Sequence, residues 1–75
     1  MNPRDVLNKI KWSGEFKFHE LEIWYVHRGA PNDTKIIKGE DVVKIEKSFI
    51  ETSSAMIPMH RILKIKYQDT VVFER

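Results

Sequence analysis

Apolar residues along this chain of 75 residues follow two periods, a helical one near the start and an alternating one afterwards. The helical period consists of Val6, Leu7 and Ile10, with polar side chains between them. Asn2 suits the N-cap, Pro3 suits the first helical position, and Gly14 ends the pattern. We therefore expect one short helix. Because about nine residues form only a marginal helix alone, we expect it to pack on a sheet.

Apolar and polar residues alternate over most of the remaining chain, which is typical of β-strands. The clearest strand spans 21–27, with Leu21, Ile23 and Tyr25 on one face and Trp24 on the other. Shorter extended runs are predicted at 34–38, 42–46, 49–51, 55–59, 61–67 and 70–74. The last two of these runs are expected to form a hairpin about Gln68-Asp69.

The same alternation predicts which side chains face the core. It turns Val43 and Ile45 inward in the run 42–46. In the run 61–67 it divides the side chains into one set of Leu63, Ile65 and Tyr67 and an opposite set of Ile62, Lys64 and Lys66. We expect Trp24 to be buried beneath the helix and Trp12 to form a lid on the core.

These elements predict an α+β fold with one short N-terminal helix packed on a curled antiparallel sheet of five to six strands. Because so many short strands in a small chain must curl, we expect a small, partly open barrel. The length allows a single domain over residues 1–75.

Composition and charge exclude several classes of protein. The chain has no cysteine, which excludes disulfides, thiolate zinc sites and a cysteine nucleophile. Lysine and arginine number 13 against 11 aspartate and glutamate, a balance too even for non-specific binding of duplex nucleic acid. Nothing reads as a signal peptide or a membrane-spanning segment, so we expect a cytoplasmic protein with no membrane partner.

Two His-Arg dipeptides, His27-Arg28 and His60-Arg61, stand where strands are predicted to end or begin. If these strands are antiparallel neighbours, both dipeptides lie at one rim and form an anion pocket. Gly29 and Lys35 belong to the same predicted site, because a glycine lets a ligand approach the backbone and a lysine adds charge. Two alternatives stay open: an ordinary charged loop at 27–35, and a His60 that only hydrogen-bonds a loop carbonyl.

Other chemistry has weaker support in the sequence. No short ligand spacing joins His19, His27 and His60, so we expect no metal site, and no motif indicates a cofactor. Lys64 and Lys66 are predicted on one strand face. They form either a solvated face or a stripe that tracks a nucleic-acid backbone.

Three segments of the chain resemble a known family. They are Pro3-Arg4-Asp5-Val6-Leu7-Asn8-Lys9-Ile10-Lys11-Trp12, then Tyr25-Val26-His27-Arg28-Gly29-Ala30-Pro31 with Asp33-Thr34-Lys35, and Ile57-Pro58-Met59-His60-Arg61-Ile62. The chain is similar in them to the small archaeal RNA cyclic group end recognition domain, long classed as an uncharacterised protein family.

This resemblance implies recognition of RNA ends that carry a 2′,3′-cyclic phosphate, in the context of RNA repair. It also implies an RNA-repair phosphoesterase or ligase as partner. The phosphate-binding candidates are His27, Arg28, Gly29, Lys35, His60 and Arg61. A base of the single-stranded end would stack on Trp24, Tyr25 or Trp12.

Three classes of function are compatible with these residues. The first is a non-catalytic RNA-end-binding module, which we rank first. The second is a small RNA phosphodiesterase that uses His27 and His60 as acid and base. The third is a protein-interaction module with an exposed edge near Ile57 and Pro58. No residue is assigned a catalytic role, since the His-x-Ser/Thr element of two-histidine phosphoesterases does not occur here.

Overall fold

The N-terminal helix α1 covers Pro3–Ser13 and has the capping residues that the sequence predicts. The computed structural model describes residues 2–75. The Asn2 side chain accepts a hydrogen bond of 2.9 Å from the Asp5 amide, which caps the first turn. Gly14 ends the helix in the left-handed region at φ 72°, where glycine meets no steric penalty. These local signals therefore fix both ends of α1.

Seven strands follow, in two antiparallel sheets. The strands are β1 Leu21–Val26, β2 Thr34–Lys38, β3 Val42–Ile45, β4 Phe49–Thr52, β5 Met56–Pro58, β6 Ile62–Tyr67 and β7 Thr70–Glu74. The four-stranded sheet has the order β2-β1-β6-β7, and the three-stranded sheet has the order β3-β4-β5. Single 3₁₀ turns lead into four of the strands: Phe18–Glu20, Pro31–Asp33, Gly39–Asp41 and Met59–Arg61.

The α+β class fits the structure, but the predicted barrel is not supported. In place of one curled sheet of five to six strands there are seven strands in two open sheets. The strands divide because the turns Gly39–Asp41 and Met59–Arg61 carry the chain from one sheet to the other and back. β2 and β7 stay at opposite edges of the four-stranded sheet, which is not closed. The hairpin of β6 and β7 about Gln68-Asp69 is confirmed.

The core lies between α1 and the two sheets. Six side chains in it are essentially inaccessible: Leu7, Leu21, Ile23, Ile50, Ile62 and Ile65. Full burial of one such aliphatic side chain contributes about 1.5–3 kcal/mol, so this cluster is the main source of stability. Gly39 is buried against the Phe18–Glu20 turn, where a Cβ atom would overlap the carbonyl oxygen of Phe18.

For Val43 and Ile62 the predicted side of the sheet is wrong, because β-bulges shift the strand register. Val42 pairs with Thr52 and Lys44 with Glu51, so Val43 is the extra residue and remains 63% exposed. Trp24 pairs with Lys64 and Tyr25 with Ile62, which leaves Leu63 as the extra residue in β6. Ile62 therefore joins Ile65 in the core.

Both tryptophans also depart from the predicted positions. Trp12 is 81% exposed and is not a lid on the core. It lies about 200° around the helix from Ile10, at about 100° per residue, and so faces away from the buried stripe. Trp24 is half-buried on the sheet face opposite the core, so it does not lie beneath α1.

Candidate functional site

A cavity of about 440 Å³ opens at one end of the four-stranded sheet, on the face that carries Tyr25 and the core. We call it the rim cavity. Its cationic or hydrogen-bonding residues include His27, Lys35 and Arg61. The β4–β5 connection adds Ser54, and strand β5 adds the apolar Met56 and Pro58. None of its lining residues, all from the described part of the chain, is acidic.

Pairing of β1 with β2 and β6 brings together the three segments that carry His27, Lys35 and Arg61. Tyr25 pairs with Lys35 on one side and with Ile62 on the other, so all three point to the same face. His27 follows Tyr25 by two positions and continues along that face. Arg61 directly precedes Ile62. The expected antiparallel pairing of the two strands that carry the His-Arg dipeptides therefore occurs, between β1 and β6.

The loop between β1 and β2 is held by its own hydrogen bonds. The His27 amide donates to the Asp33 carbonyl at 2.8 Å, and the Asp33 amide donates to the Ala30 carbonyl at 2.8 Å. Gly29 has φ 94°, and Asn32 and Asp33 also have positive φ. This backbone fixes the position from which His27 enters the rim cavity.

The other predicted phosphate-binding residues do not line the rim cavity. The Gly29 amide donates to Asp33 Oδ1 at 3.3 Å, so this donor is already used within the loop. Arg28 is exposed outside the cavity lining. His60 lines a different hollow of about 810 Å³ beside the start of α1, together with Arg4, Lys47 and Arg75. The structure thus gathers three of the six predicted residues.

Sequence reasoning missed Arg75, which holds the turn that carries Arg61. Its Nε donates to the Ile62 carbonyl at 2.7 Å, and one terminal nitrogen donates to the Met59 carbonyl at 3.0 Å. The guanidinium also lies 5.7 Å from the centre of the Phe73 ring. No sequence signal identifies this role, because the acceptors are backbone carbonyls 13 and 16 residues earlier in the chain.

The three stacking candidates lie in different places. Tyr25 lines the rim cavity but is only 8% exposed, and its ring meets the His27 ring edge-on with centres 6.2 Å apart. Trp24 lies on the opposite sheet face, with Lys64 Nζ 4.2 Å from the ring centre. Trp12 projects from the end of α1. Only Tyr25 is therefore part of the rim cavity.

The resolved pKa shifts lie outside the rim cavity. The Lys38 ammonium, 3.4 Å from Glu22 Oε2, lowers the pKa of Glu22. The Trp24 indole N–H is buried and has no hydrogen-bond partner. Glu46, 3.0 Å from Lys44 Nζ, raises the pKa of Lys44.

Within residues 2–75 no three His, Asp or Glu side chains are grouped so that they could hold a metal ion. No helix of the described chain is long and apolar enough to cross a membrane. What the rim cavity offers chemically is a guanidinium fork, an ammonium and an imidazole with no opposing carboxylate, which suits an anion.

Comparisons with known proteins agree with the resemblance seen in the sequence. A family model described as the MJ1316 RNA cyclic group end recognition domain matches residues 1–75. A UPF0248 protein of Archaeoglobus fulgidus is 37% identical over 70 residues, which cover 92% of this chain and 99% of the relative. UPF0248 protein MJ1316 of Methanocaldococcus jannaschii is 34% identical over 67 residues, covering 89% of this chain and 82% of the relative. UPF0248 protein MmarC7_1289 of Methanococcus maripaludis is 37% identical over 62 residues, which cover 83% of this chain and 80% of the relative. No solved structure is significantly similar to the chain.

Proposed function

This chain belongs to the MJ1316 RNA cyclic group end recognition domain family, and from that membership we propose that it binds RNA ends carrying a 2′,3′-cyclic phosphate in the rim cavity. The observation that supports the site is the lining of the cavity, in which Lys35, Arg61 and His27 meet without an acidic residue. The expected partners are single-stranded RNA and an RNA-repair phosphoesterase or ligase that acts on the same ends.

The chemistry of a cyclic phosphate fits these three side chains. The group carries one negative charge on two non-bridging oxygens, which the planar fork of Arg61 can contact together. Lys35 adds a point charge, and His27 adds a ring nitrogen that donates a hydrogen bond. The apolar side chains of Met56 and Pro58 offer a surface to the ribose and its base. A cavity of about 440 Å³ is large enough for one terminal nucleotide.

Binding without turnover accounts for the arrangement better than the two alternatives. A phosphodiesterase using His27 and His60 needs both imidazoles at one phosphate, and His60 lines the hollow beside α1 instead. A protein-interaction module at Ile57 and Pro58 has less support, because Ile57 is only 2% exposed and the exposed apolar side chain of that strand, Met56 at 61%, belongs to the lining of the rim cavity. We therefore place the function in recognition.

The test uses dinucleotides, because they are too short to reach far beyond the rim cavity. Affinity is measured for ends carrying a cyclic phosphate, a linear phosphate or a hydroxyl, with the RNA products analysed after incubation. We expect the cyclic end to bind most tightly and to remain intact. Arg61→Gln should weaken it by about 1.5–3 kcal/mol, the usual scale of a hydrogen bond to a charged group.

Arg28→Gln is the matched control, because it removes the same charge from the same protein outside the cavity lining. Its affinity should stay within about twofold of the unmodified chain, well under the 1.4 kcal/mol that corresponds to tenfold. Equal losses in Arg28→Gln and Arg61→Gln would contradict the rim cavity as the site. Hydrolysis abolished by both His27→Ala and His60→Ala would make the protein an enzyme.

A further inference from the structure

The face of the four-stranded sheet opposite the core carries an aromatic and basic surface that the rim cavity does not use. Register places Ile36 and Lys64 directly beside Trp24 in one row across the sheet. The next row brings Lys38 and Lys66 beside Glu22. Because paired residues of an antiparallel sheet share a face, these side chains form one continuous surface.

This surface contains a groove of about 440 Å³, which we call the Trp24 groove. Its lining includes Trp24, Ile36, Leu63, Lys64, Arg75 and the loop residue Asn32. Lys64 Nζ lies 4.2 Å from the centre of the Trp24 ring, and Ile36 is 49% exposed. No residue of α1 lines this groove. A ring flanked by apolar and cationic side chains is the composition on which single-stranded bases stack.

The charge of this face favours an anionic occupant. It carries the cations Lys38, Lys64, Lys66 and Arg75 against the carboxylates Glu22 and Glu74. The excess of two positive charges equals the net charge of +2 of the whole chain. Glu22 is neutralised in part by Lys38, whose ammonium lies 3.4 Å from Glu22 Oε2.

The Trp24 groove and the rim cavity are joined by one short segment. Thr34 lines the groove, and its neighbour Lys35 lines the rim cavity. Adjacent residues of a β-strand point to opposite faces of the sheet. A single RNA strand that passes around this end of the sheet therefore reaches both sites. Pro31 and Asn32, in the loop that His27 begins, also line the groove.

We propose that the Trp24 groove binds the nucleotides that precede the RNA end. One base stacks on the Trp24 ring in place of the Lys64 ammonium, which lies over that ring in the free protein and turns with Lys66 to the RNA backbone. This inference rests on the proposed function, because the RNA end in the rim cavity sets the direction in which the RNA strand runs through the groove. The ligand class is single-stranded RNA of several nucleotides. In one common RNA-binding module, the RNA-recognition motif, aromatic residues on the open face of a four-stranded sheet stack about two or three bases.

The test exploits the presence of only two tryptophans in the chain. Trp12→Phe alters an 81% exposed side chain and leaves Trp24 as the sole tryptophan. We expect a single-stranded RNA octamer to quench Trp24 fluorescence, whereas a dinucleotide does not. The octamer should also bind about tenfold more tightly than the dinucleotide, within the range of one stacked base. A duplex RNA, whose bases are already stacked, should not quench Trp24.

The double variant Lys64→Gln/Lys66→Gln should lose most of the tighter binding of the octamer relative to the dinucleotide. Its slope of log affinity against log salt should become shallower by about 1.4, because two phosphate contacts are removed. Lys9→Gln/Lys11→Gln is the matched control, since it removes the same charge from exposed positions on α1. This control variant should still bind the octamer more tightly than the dinucleotide.

The outcomes separate this inference from the proposed function. Equal affinity for octamer and dinucleotide, or octamer binding that leaves Trp24 emission unchanged, would refute the Trp24 groove as an RNA site. An octamer that quenches Trp24 but binds equally with cyclic, linear and hydroxyl ends would support the groove and refute recognition in the rim cavity.

Discussion

Replacing Arg75 should both destabilise the domain and loosen the rim cavity. Its guanidinium donates hydrogen bonds of 2.7 and 3.0 Å to the carbonyls of Ile62 and Met59, at the two ends of the turn that carries Arg61. A hydrogen bond to a charged group is worth about 1.5–3 kcal/mol. Because water can reach the freed carbonyls in part, we expect Arg75→Ala to lower the free energy of unfolding by about 1.5–3 kcal/mol in total. That is a large share of the roughly 4–11 kcal/mol expected for a domain of 75 residues.

Thermal unfolding followed by circular dichroism measures the first effect. For a domain of this size each kcal/mol shifts the Tm by about 4–8 °C, so the expected loss is about 6–24 °C. Arg75→Lys keeps the charge but not the fork, and should recover only part of the Tm. A Tm within about 2 °C of the unmodified protein would refute the structural reasoning, since it corresponds to under about 0.5 kcal/mol.

A second readout separates positioning from stability alone. At a temperature where Arg75→Ala remains folded, affinity for a cyclic-phosphate dinucleotide should still fall, because the Met59–Arg61 turn is no longer held. Arg28→Ala, which removes an exposed arginine outside the cavity, supplies the baseline for loss of charge. If the folded Arg75→Ala variant binds as well as Arg28→Ala, Arg75 does not position Arg61.

Two further predictions concern the body of the fold. Gly39→Ala should lower the free energy of unfolding, measured in urea, by about 1–3 kcal/mol, because the added methyl group meets backbone atoms of Phe18 that cannot rotate away. Full stability in this variant would contradict the close packing of the two turns. Lys38→Gln should raise the pKa of Glu22 towards 4.5, measured by NMR titration of the carboxyl carbon. Since that pKa is lowered in the folded state, the linked stability is present above the ordinary value of 4.5 and is lost as the pH falls through the folded value. An unchanged Glu22 titration in Lys38→Gln would contradict the ion pair.

Local signals in the sequence were sufficient for the parts of the fold that local interactions determine. Asn2, Pro3 and Gly14 predicted the ends of α1, and alternation predicted β1 with its buried residues. Gln68-Asp69 predicted the last hairpin. Each of these features depends on residues close together in the chain, so the relevant physics is visible in the sequence.

The features that were predicted wrongly depend on distant contacts. The bulge at Leu63 places Ile62 in the core, and neither residue is a glycine or proline that would mark a bulge. Burial of Ile62 in the core cluster that α1 and both sheets share decides the register instead. The division into two sheets is equally non-local, since β1 pairs with β6 across about forty residues.

The same limit explains the composition of the rim cavity. The two dipeptides were expected to contribute four side chains, and the strands that carry them are indeed antiparallel neighbours. His60 and Arg61 belong to the 3₁₀ turn Met59–Arg61, in which consecutive side chains point about 120° apart, so this dipeptide delivers one of its two side chains to the rim cavity. His27 enters from the first pair and Arg61 from the second, while Arg28 and His60 lie outside. One imidazole and one guanidinium, joined by Lys35, can hold an anion but cannot supply a histidine pair for acid–base chemistry. The geometry of adjacent residues thus favours a binder over a phosphodiesterase.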